Sequence, residues 1–219
     1  MRTADDDLTA RARIRDAAVL RFATDGFGAP VRAIAADVGV SPALVIHHFG
    51  SKDALRKECD EYILTTTRQL KNEAIDEAAA GQSLLHRFAA VDESAHLLGY
   101  VLRSLQDGGP VAQAFIEQMV DDAVDYTRKG VAAGVIHPSR DEAARVRYLV
   151  LSSLGALLLE VTLDPPDDPR DLSALVRDFL TTSYAPMLEL FTQGLFTSSY
   201  AFDEYVQSIE STEREKVDD

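Results

Sequence analysis

The sequence predicts an all-α protein, with a three-helix head at the N-terminus joined by a long helix to a larger helical bundle. Apolar residues recur three and four apart along most of the chain, and no segment sustains a period of two with β-branched enrichment. The breaks between these stretches hold Gly, Pro and Asp where one helix must end and the next begin. A length of 219 residues, 46% hydrophobic and 26% charged, suffices for a packed core and two functional parts.

Ile14, Ala18 and Phe22 lie four apart on one face of a first helix, which ends at Asp25-Gly26, where glycine accepts the positive φ of a C-cap. Pro30 suits the first turn of a short second helix, because its missing N–H would have no partner there. Val31, Ile34, Ala35 and Val38 form the buried stripe of that helix. Gly39 breaks the pattern. Ser41 then supplies an N-cap oxygen, Pro42 takes the next position, and Val45 and Phe49 follow at helical spacing, giving a third helix over about 41–48. Ser51 caps a longer helix whose positions Leu55, Cys59, Tyr62, Ile63, Thr66 and Leu70 drift as one stripe. Further helices are expected over 82–106, 110–129, 140–163 and 171–194. Pro186 should kink the last of these or mark a restart. The acidic tail from Asp203 should begin helical and fray at its end. The expected domains are 8–57 and 58–219.

Cys59 is the single cysteine, so no internal disulfide can form, and the polar, acidic start MRTADDDLTA is unlike a secretory signal. Both point to the cytoplasm. The charge-free stretch from Tyr148 to Leu159 is shorter than a membrane helix needs, so no span is expected. A formal charge of -14 argues against nucleic acid as a partner until its distribution is considered. Residues 11–57 hold eight bases, Arg11, Arg13, Arg15, Arg21, Arg32, Lys52, Arg56 and Lys57, against the four acids Asp16, Asp25, Asp37 and Asp53. Screening separates this basic head from the acidic body.

Two short helices joined by a tight glycine turn, with another packed across them, make a helix-turn-helix, which lays its second helix in the major groove. Gly39 tolerates the left-handed conformation needed there, and Ala35 lets the helices cross closely. With Val38, Val40, Val45 and Phe49 inward, the groove-facing candidates are Pro42, Ala43, Leu44, Ile46, His47 and partly His48. His48 packing its ring on the first helix is an equal alternative. His47 and His48 diverge by about 100° around the helix and do not grip one metal ion. No metal and no cofactor are expected.

The run IRDAAVLRFATDGFGAPVRAIAADVGVSPALVIHHFGSKDALR, from Ile14 to Arg56, resembles the DNA-binding head of the TetR family of transcriptional regulators. The resemblance implies that Arg32, Ser41, His47 and Lys52 approach phosphates while Pro42, Ala43 and Leu44 lie against base edges, which separates positioning from reading. Lys52 in the first turn of a helix adds its charge to free N–H groups. Leu44 and Ile46 depart from the Thr and Tyr common in the family. Ala29 departs from its usual Thr or Ser cap. Apolar readout, for example of thymine methyl groups, follows from these departures.

In the body, 140–163 carries Leu149, Leu151, Leu154, Leu157 and Leu158, and 171–194 carries Leu172, Leu175, Val176, Phe179, Leu180 and Leu190, more apolar surface than one helix face needs. The family resemblance implies that these helices pair two copies about a two-fold axis; burial within one subunit is the alternative. Phe88, His96, Tyr100, Arg103, Phe115, Met119 and Tyr126 are large or polar residues among apolar helices and are candidates to line a cavity for a small-molecule inducer, though a residue at such spacing is more often plain core. Glu117, Asp121 and Asp125 fall four apart with no His or Cys beside them and read as a solvated face. The expected function is operator binding by a homodimeric repressor that an inducer releases. A protein-interaction module that kept the fold without binding DNA is the alternative that Leu44 and Ile46 favour. A helical hydrolase would need a phosphate-cradling loop, a nucleophile elbow or spaced metal ligands, and the sequence has none of them.

Overall fold

A computed structural model describes residues 4–82, 91–168 and 170–217. Among these residues the secondary structure is helical throughout, with α1 (Ala4–Asp25), α2 (Val31–Asp37), α3 (Pro42–Phe49), α4 (Lys52–Ala79), α5 (Val91–Asp107), α6 (Gly109–Ala132), α7 (Glu142–Leu163), α8 (Leu172–Gln193) and α9 (Tyr200–Val217). The chain divides into two compact units, Met1–Asp178 and Phe179–Asp219.

In the first unit, α1 is the spine of the head. Ile14, Ala18 and Phe22 are fully buried on one side, and so are Ile34 and Ala35 of α2, Val45 of α3, and Leu55, Cys59 and Ile63 of α4, the three helices of the head that pack on α1. Glycine at 26 ends α1 with φ 78, as its position implied. α2 begins one residue later than expected, so that Pro30 is its N-cap in extended conformation and not part of its first turn. Its ring locks φ near the extended entry, and no side chain caps this end.

The body of this unit packs α5 on α1, α4 on α6, and α6 on α7. Gly99 permits a close approach of helices. A Cβ there would lie 2.7 Å from Leu172 Cδ2 and 3.4 Å from Ala23 Cβ, so only hydrogen fits between α5, α1 and the start of α8. Ala123, Val124 and Val146 form a small core between α6 and α7, with Tyr126 and Val150 packed against it.

α7 is long and apolar enough, by length and composition, to cross a membrane. The charge-free stretch therefore understated it. Its apolar residues nevertheless divide between two faces: Val146, Leu154 and Leu157 are buried, whereas Tyr148, Leu151, Leu159 and Leu163 form an exposed stripe. In the second unit, the end of α8 and all of α9 are helical. No restart occurs at Pro186, and α8 continues through it. The proline is exposed, so water can reach the carbonyl that loses its donor.

Candidate nucleic-acid interface

The turn between α2 and α3 is built by hydrogen bonds that glycine makes possible. Val40 N–H donates to Ala35 O at 2.9 Å and Gly39 N–H to Ala36 O at 3.2 Å, with Gly39 at φ 69. This pair of bonds is a Schellman closure, which satisfies carbonyls left open at the end of α2. The chain leaves it directly into Ser41, whose Oγ accepts from Leu44 N–H at 3.2 Å. Pro42 follows at the first helical position. Gly50, at φ 80, ends α3, and Ser51 Oγ accepts from Ala54 N–H at 3.0 Å to start α4.

These closures aim α3 outward. Val45 and Phe49 are buried, while Pro42, Ala43, Ile46 and His47 are exposed and Leu44 and His48 are half-buried. Ser41 is exposed, though its hydroxyl oxygen is engaged as a cap. The His48 ring lies 5.8 Å from His47 and 6.3 Å from Phe49. Arg32 is exposed on α2, and Lys52 is half-buried as the first residue of α4. The eight residues expected to touch DNA therefore flank one protruding helix. Of the eight, Leu44, His48 and Lys52 are half-buried and the other five exposed.

Two arginines of α1 hold the two short helices from below. Arg11 Nη1 donates to His48 O at 2.7 Å, near the end of α3, and its other nitrogens grip Glu58 of α4 at 3.1 and 2.6 Å. Its guanidinium also sits 4.7 Å from the Phe49 ring centre. Arg13 Nη2 donates to Val38 O, at the end of α2, at 3.2 Å. Cations at helix C-termini complement both the open carbonyls and the dipole. The Arg11 hydrogen bond holds the Glu58 carboxyl below the usual carboxylate range.

The basic character of the head is largely spent inside the molecule. Arg21 bonds Asp25 and Asp37. Arg15 bonds Asp16 and stacks on Tyr62, 3.9 Å from the ring centre. Arg56 pairs with Asp107 at 2.8 Å and lies 3.6 Å over the Phe27 ring. The structure gives Arg11, Arg13, Arg15, Arg21 and Arg56 intramolecular partners. Among the described residues, Arg13, Arg32 and Lys52 are the head cations that have no carboxylate within ion-pair distance, and of these Arg13 is engaged by the Val38 carbonyl.

The residues expected to line a ligand cavity fall into three groups. Phe88 lies outside the described residues. Tyr100, Arg103 and Phe115 meet at the junction of head and body. Tyr100 is fully buried, packs within 5.2 Å of Phe27 and 6.0 Å of Phe115 between ring centres, and donates to Asp60 Oδ1 at 2.7 Å. Burial raises the Asp60 carboxyl despite that bond. Arg103 donates to Ala23 O and Thr24 O at 3.2 and 2.8 Å, which closes the last turn of α1. His96, Met119 and Tyr126 are half-buried. An open groove of about 480 Å³ between the end of α5 and the start of α6 is lined instead by Ser104, Leu105, Gln113, Ile116 and Glu117 among others. Glu117 there is bound by Arg147 through two bonds, and no group of three metal-ligating side chains occurs among the described residues.

Bonds tie α4 to the body along its length. Besides Arg56 with Asp107 and Asp60 with Tyr100, Arg68 pairs with the buried Asp122 at 3.2 Å and Asp76 with Lys129 at 2.7 Å. The helix that begins with Lys52 is thus the direct mechanical link between the protruding α3 and the body.

A helix-turn-helix whose second helix stands clear of its own core defines a DNA-binding regulator. The comparisons specify which kind. Residues 14–59 match the bacterial regulatory proteins of the tetR family, and residues 92–197 match the tetracyclin repressor-like C-terminal domain. The chain is 40% identical over 213 residues to the HTH-type transcriptional regulatory protein RaaS of Mycobacterium tuberculosis, covering 97% of this chain and 98% of that protein. It also resembles, in fold, a crystal structure described as a TetR-family transcriptional regulator from Mesorhizobium loti, with TM-score 0.50, 19% identity, and 82% and 98% of the two chains covered. The chain belongs to the TetR family and is a DNA-binding transcription regulator.

Proposed function

We propose that this regulator is a homodimeric repressor that sits on a pseudo-palindromic operator and is released by a small-molecule inducer. The observation that carries this reading is α3 itself, with Pro42, Ala43, Ile46 and His47 exposed above a buried Val45 and Phe49. Arg32, Ser41, His47 and Lys52 position the backbone, and Pro42, Ala43 and Leu44 contact base edges, with His48 at the margin of the contact. The head at 8–57 acts as the DNA-binding domain and 58–219 as the ligand-binding and dimerisation domain. A cytoplasmic location follows from this role.

Pairing of two copies through α7 and α8 is supported by the exposed stripe of Tyr148, Leu151, Leu159 and Leu163. These recur at three, eight and four residues, so they share one face, and Gly155 lies in the same row with nothing within 4 Å of where its Cβ would be. Small residues on such a face let two helices approach closely.

Release works by linkage. The inducer occupies the body near α5 and α6, where His96, Met119 and Tyr126 are half-buried. Tyr100, Arg103 and Phe115 adjoin the same helices and the end of α1, so binding there shifts α4 and with it the spacing of the two α3 helices. Affinity for DNA and for inducer must then fall by the same factor, typically about 5- to 150-fold.

A gel-shift titration on the DNA upstream of the gene, repeated at rising salt, tests the reading. Specific retardation that weakens with salt is expected. Absence of retardation at low salt, with the protein folded, would favour the protein-interaction alternative.

A further inference from the structure

α1 and α2 each finish on an aspartate, Asp25 and Asp37, and neither has a basic residue in its last turn. A carboxylate at a helix C-terminus opposes the dipole, and the open carbonyls there favour a cation. For α1 the cations come from the body. Arg103 of α5 donates from Nε to Ala23 O at 3.2 Å and from Nη2 to Thr24 O at 2.8 Å. Arg170, in the segment between α7 and α8, has its Nε 3.0 Å from Asp25 Oδ1. Gly99 of α5 brings Ala23 and Leu172, the first residue of α8, to the same point. All of these groups belong to the first unit. Three parts of the body therefore converge on one turn of the head.

From that turn the contacts continue toward the recognition helix. The Asp25 carboxylate is shared, because Oδ1 faces Arg170 while Oδ2 accepts from Arg21 Nη1 at 2.7 Å. Arg21 Nε donates to Asp37 Oδ2 at 2.9 Å and Nη2 to the other oxygen, so one guanidinium grips both oxygens of the last residue of α2. Gly39 and Val40, whose amides close α2, follow within three residues. The chain Arg170, Asp25, Arg21, Asp37 thus runs from just before α8 to the turn that aims α3, and no member of it lies on α4. The Arg170 side chain is 69% exposed, so water screens its pair and little stability comes from it. What the pair fixes is the place of Asp25.

We propose that the last turn of α1 is a second junction, separate from α4, through which the body sets the direction of α3, with Arg103 and Arg170 as positioning residues for DNA binding. The inference rests on α3 as the helix that meets DNA, so the experiment must separate the two. Gel-shift titration on the DNA upstream of the gene would compare the full-length protein with its variants. Arg103→Met, which keeps the stem and loses the donors, should weaken binding about tenfold, and Arg170→Ala about threefold, within the range of about 2- to 30-fold for residues that couple sites without touching either ligand. Because Arg170 acts through Asp37, Arg170→Ala combined with Asp37→Asn should weaken binding no more than the stronger single change. Losses that multiply, or full affinity in Arg170→Ala, overturn the junction and leave α3 in its role. No retardation by the unaltered protein overturns both.

Two further readouts on Arg170→Ala distinguish positioning from a direct or a merely structural role. The slope of log affinity against log salt should match that of the unaltered protein, whereas a slope smaller by about one per head would put Arg170 on a phosphate and refute the proposal. Hydrogen exchange without DNA should quicken at the amides of Gly39 and Val40, while the urea midpoint stays in place because the lost pair is solvated. Unchanged exchange at these two amides would show that the route to α2 does not exist. A lower midpoint with faster exchange at every amide would make Arg170 a residue of general stability and equally overturn the proposal.

Discussion

Tyr100 Oη donates to Asp60 Oδ1 across the seam between α5 and α4, in a place where the tyrosine has no solvent exposure. The bond satisfies a carboxyl that burial otherwise disfavours as an anion. Tyr100→Phe keeps the packing on Phe22, Phe27 and Phe115 and removes only the donor. We expect a loss of about 1–3 kcal/mol, the cost of leaving a buried polar group unsatisfied, read from urea unfolding. No change in midpoint would mean that the bond is not formed.

The same pair predicts a pH dependence. The folded-state pKa of Asp60 lies above its unfolded value. Below both values the group is neutral in either state and costs nothing. As pH rises past the unfolded value, the unfolded chain releases its proton first, and stability falls until the folded pKa is passed. Asp60→Asn abolishes this contribution. Unfolding midpoints from about pH 3 to 7 should therefore move in favour of Asp60→Asn relative to the unaltered protein as pH rises. A constant difference across that range would contradict the assignment.

Arg11 predicts a variant that damages DNA binding from beneath the recognition helix. It joins the end of α3 to Glu58 of α4 and lies over Phe49. Arg11→Ala should cost about 1–2 kcal/mol, since the pair is partly solvated, and should weaken operator binding through misplacement of α3. Arg11→Lys should rescue little, because an ammonium cannot grip both carboxylate oxygens and the carbonyl together. Glu58 adds an acid limb: its pKa is depressed, so the stability it contributes is present above the unfolded value and lost as pH falls through the folded one. Full operator affinity in Arg11→Ala would contradict the role.

These two residues mark what was legible in the sequence. The head could be read because its signals are local: Gly39, Ser41 and Ser51 each make their defining bonds within five residues. Arg11, Arg13, Arg56 and Arg103 could not, because the partners by which they join one helix to another lie between 25 and 80 residues away. A long cationic side chain carries no periodicity, so it reads as surface charge until its neighbour is known. Tyr100 and Phe115 were visible as large residues on apolar helices. That they join head to body depended on Phe27, which no pattern singled out. Gly99 was missed because a glycine inside a helix declares itself only when another helix approaches it.

The spent arginines predict weak salt dependence. With Arg32 and Lys52 as the cations of each head that have neither a carboxylate nor a carbonyl partner among the described residues, and two heads on DNA, about four phosphates would be neutralised, giving a slope of log affinity against log salt of about −4. Lys52→Ala should lower affinity alike for all sequences and reduce that slope by about one per head. Changes at Pro42 or Ala43 should alter which bases are preferred and leave the slope unchanged. A slope near −10 in the unaltered protein would mean that the internal ion pairs open on DNA.

Gly39 separates a backbone requirement from a packing requirement. Its φ of 69 lies in the left-handed region, yet nothing approaches within 4 Å of where a Cβ would stand. Only conformation therefore opposes a side chain. Gly39→Ala should cost about 1–2 kcal/mol, and Gly39→Asn less, because asparagine tolerates this region. A β-branched valine should cost most and should take operator affinity with it, since this turn sets the direction in which α3 leaves α2. Gly99 is the control, because its obstacle is Leu172 Cδ2 at 2.7 Å and not its backbone angle. There asparagine should be worse than alanine. Thermal midpoints and operator affinities of the two series decide the matter: the order Asn, Ala, Val of increasing damage at 39, with Asn and Ala reversed at 99, is the expected pattern, and an identical order at both sites would show that the turn is limited by space.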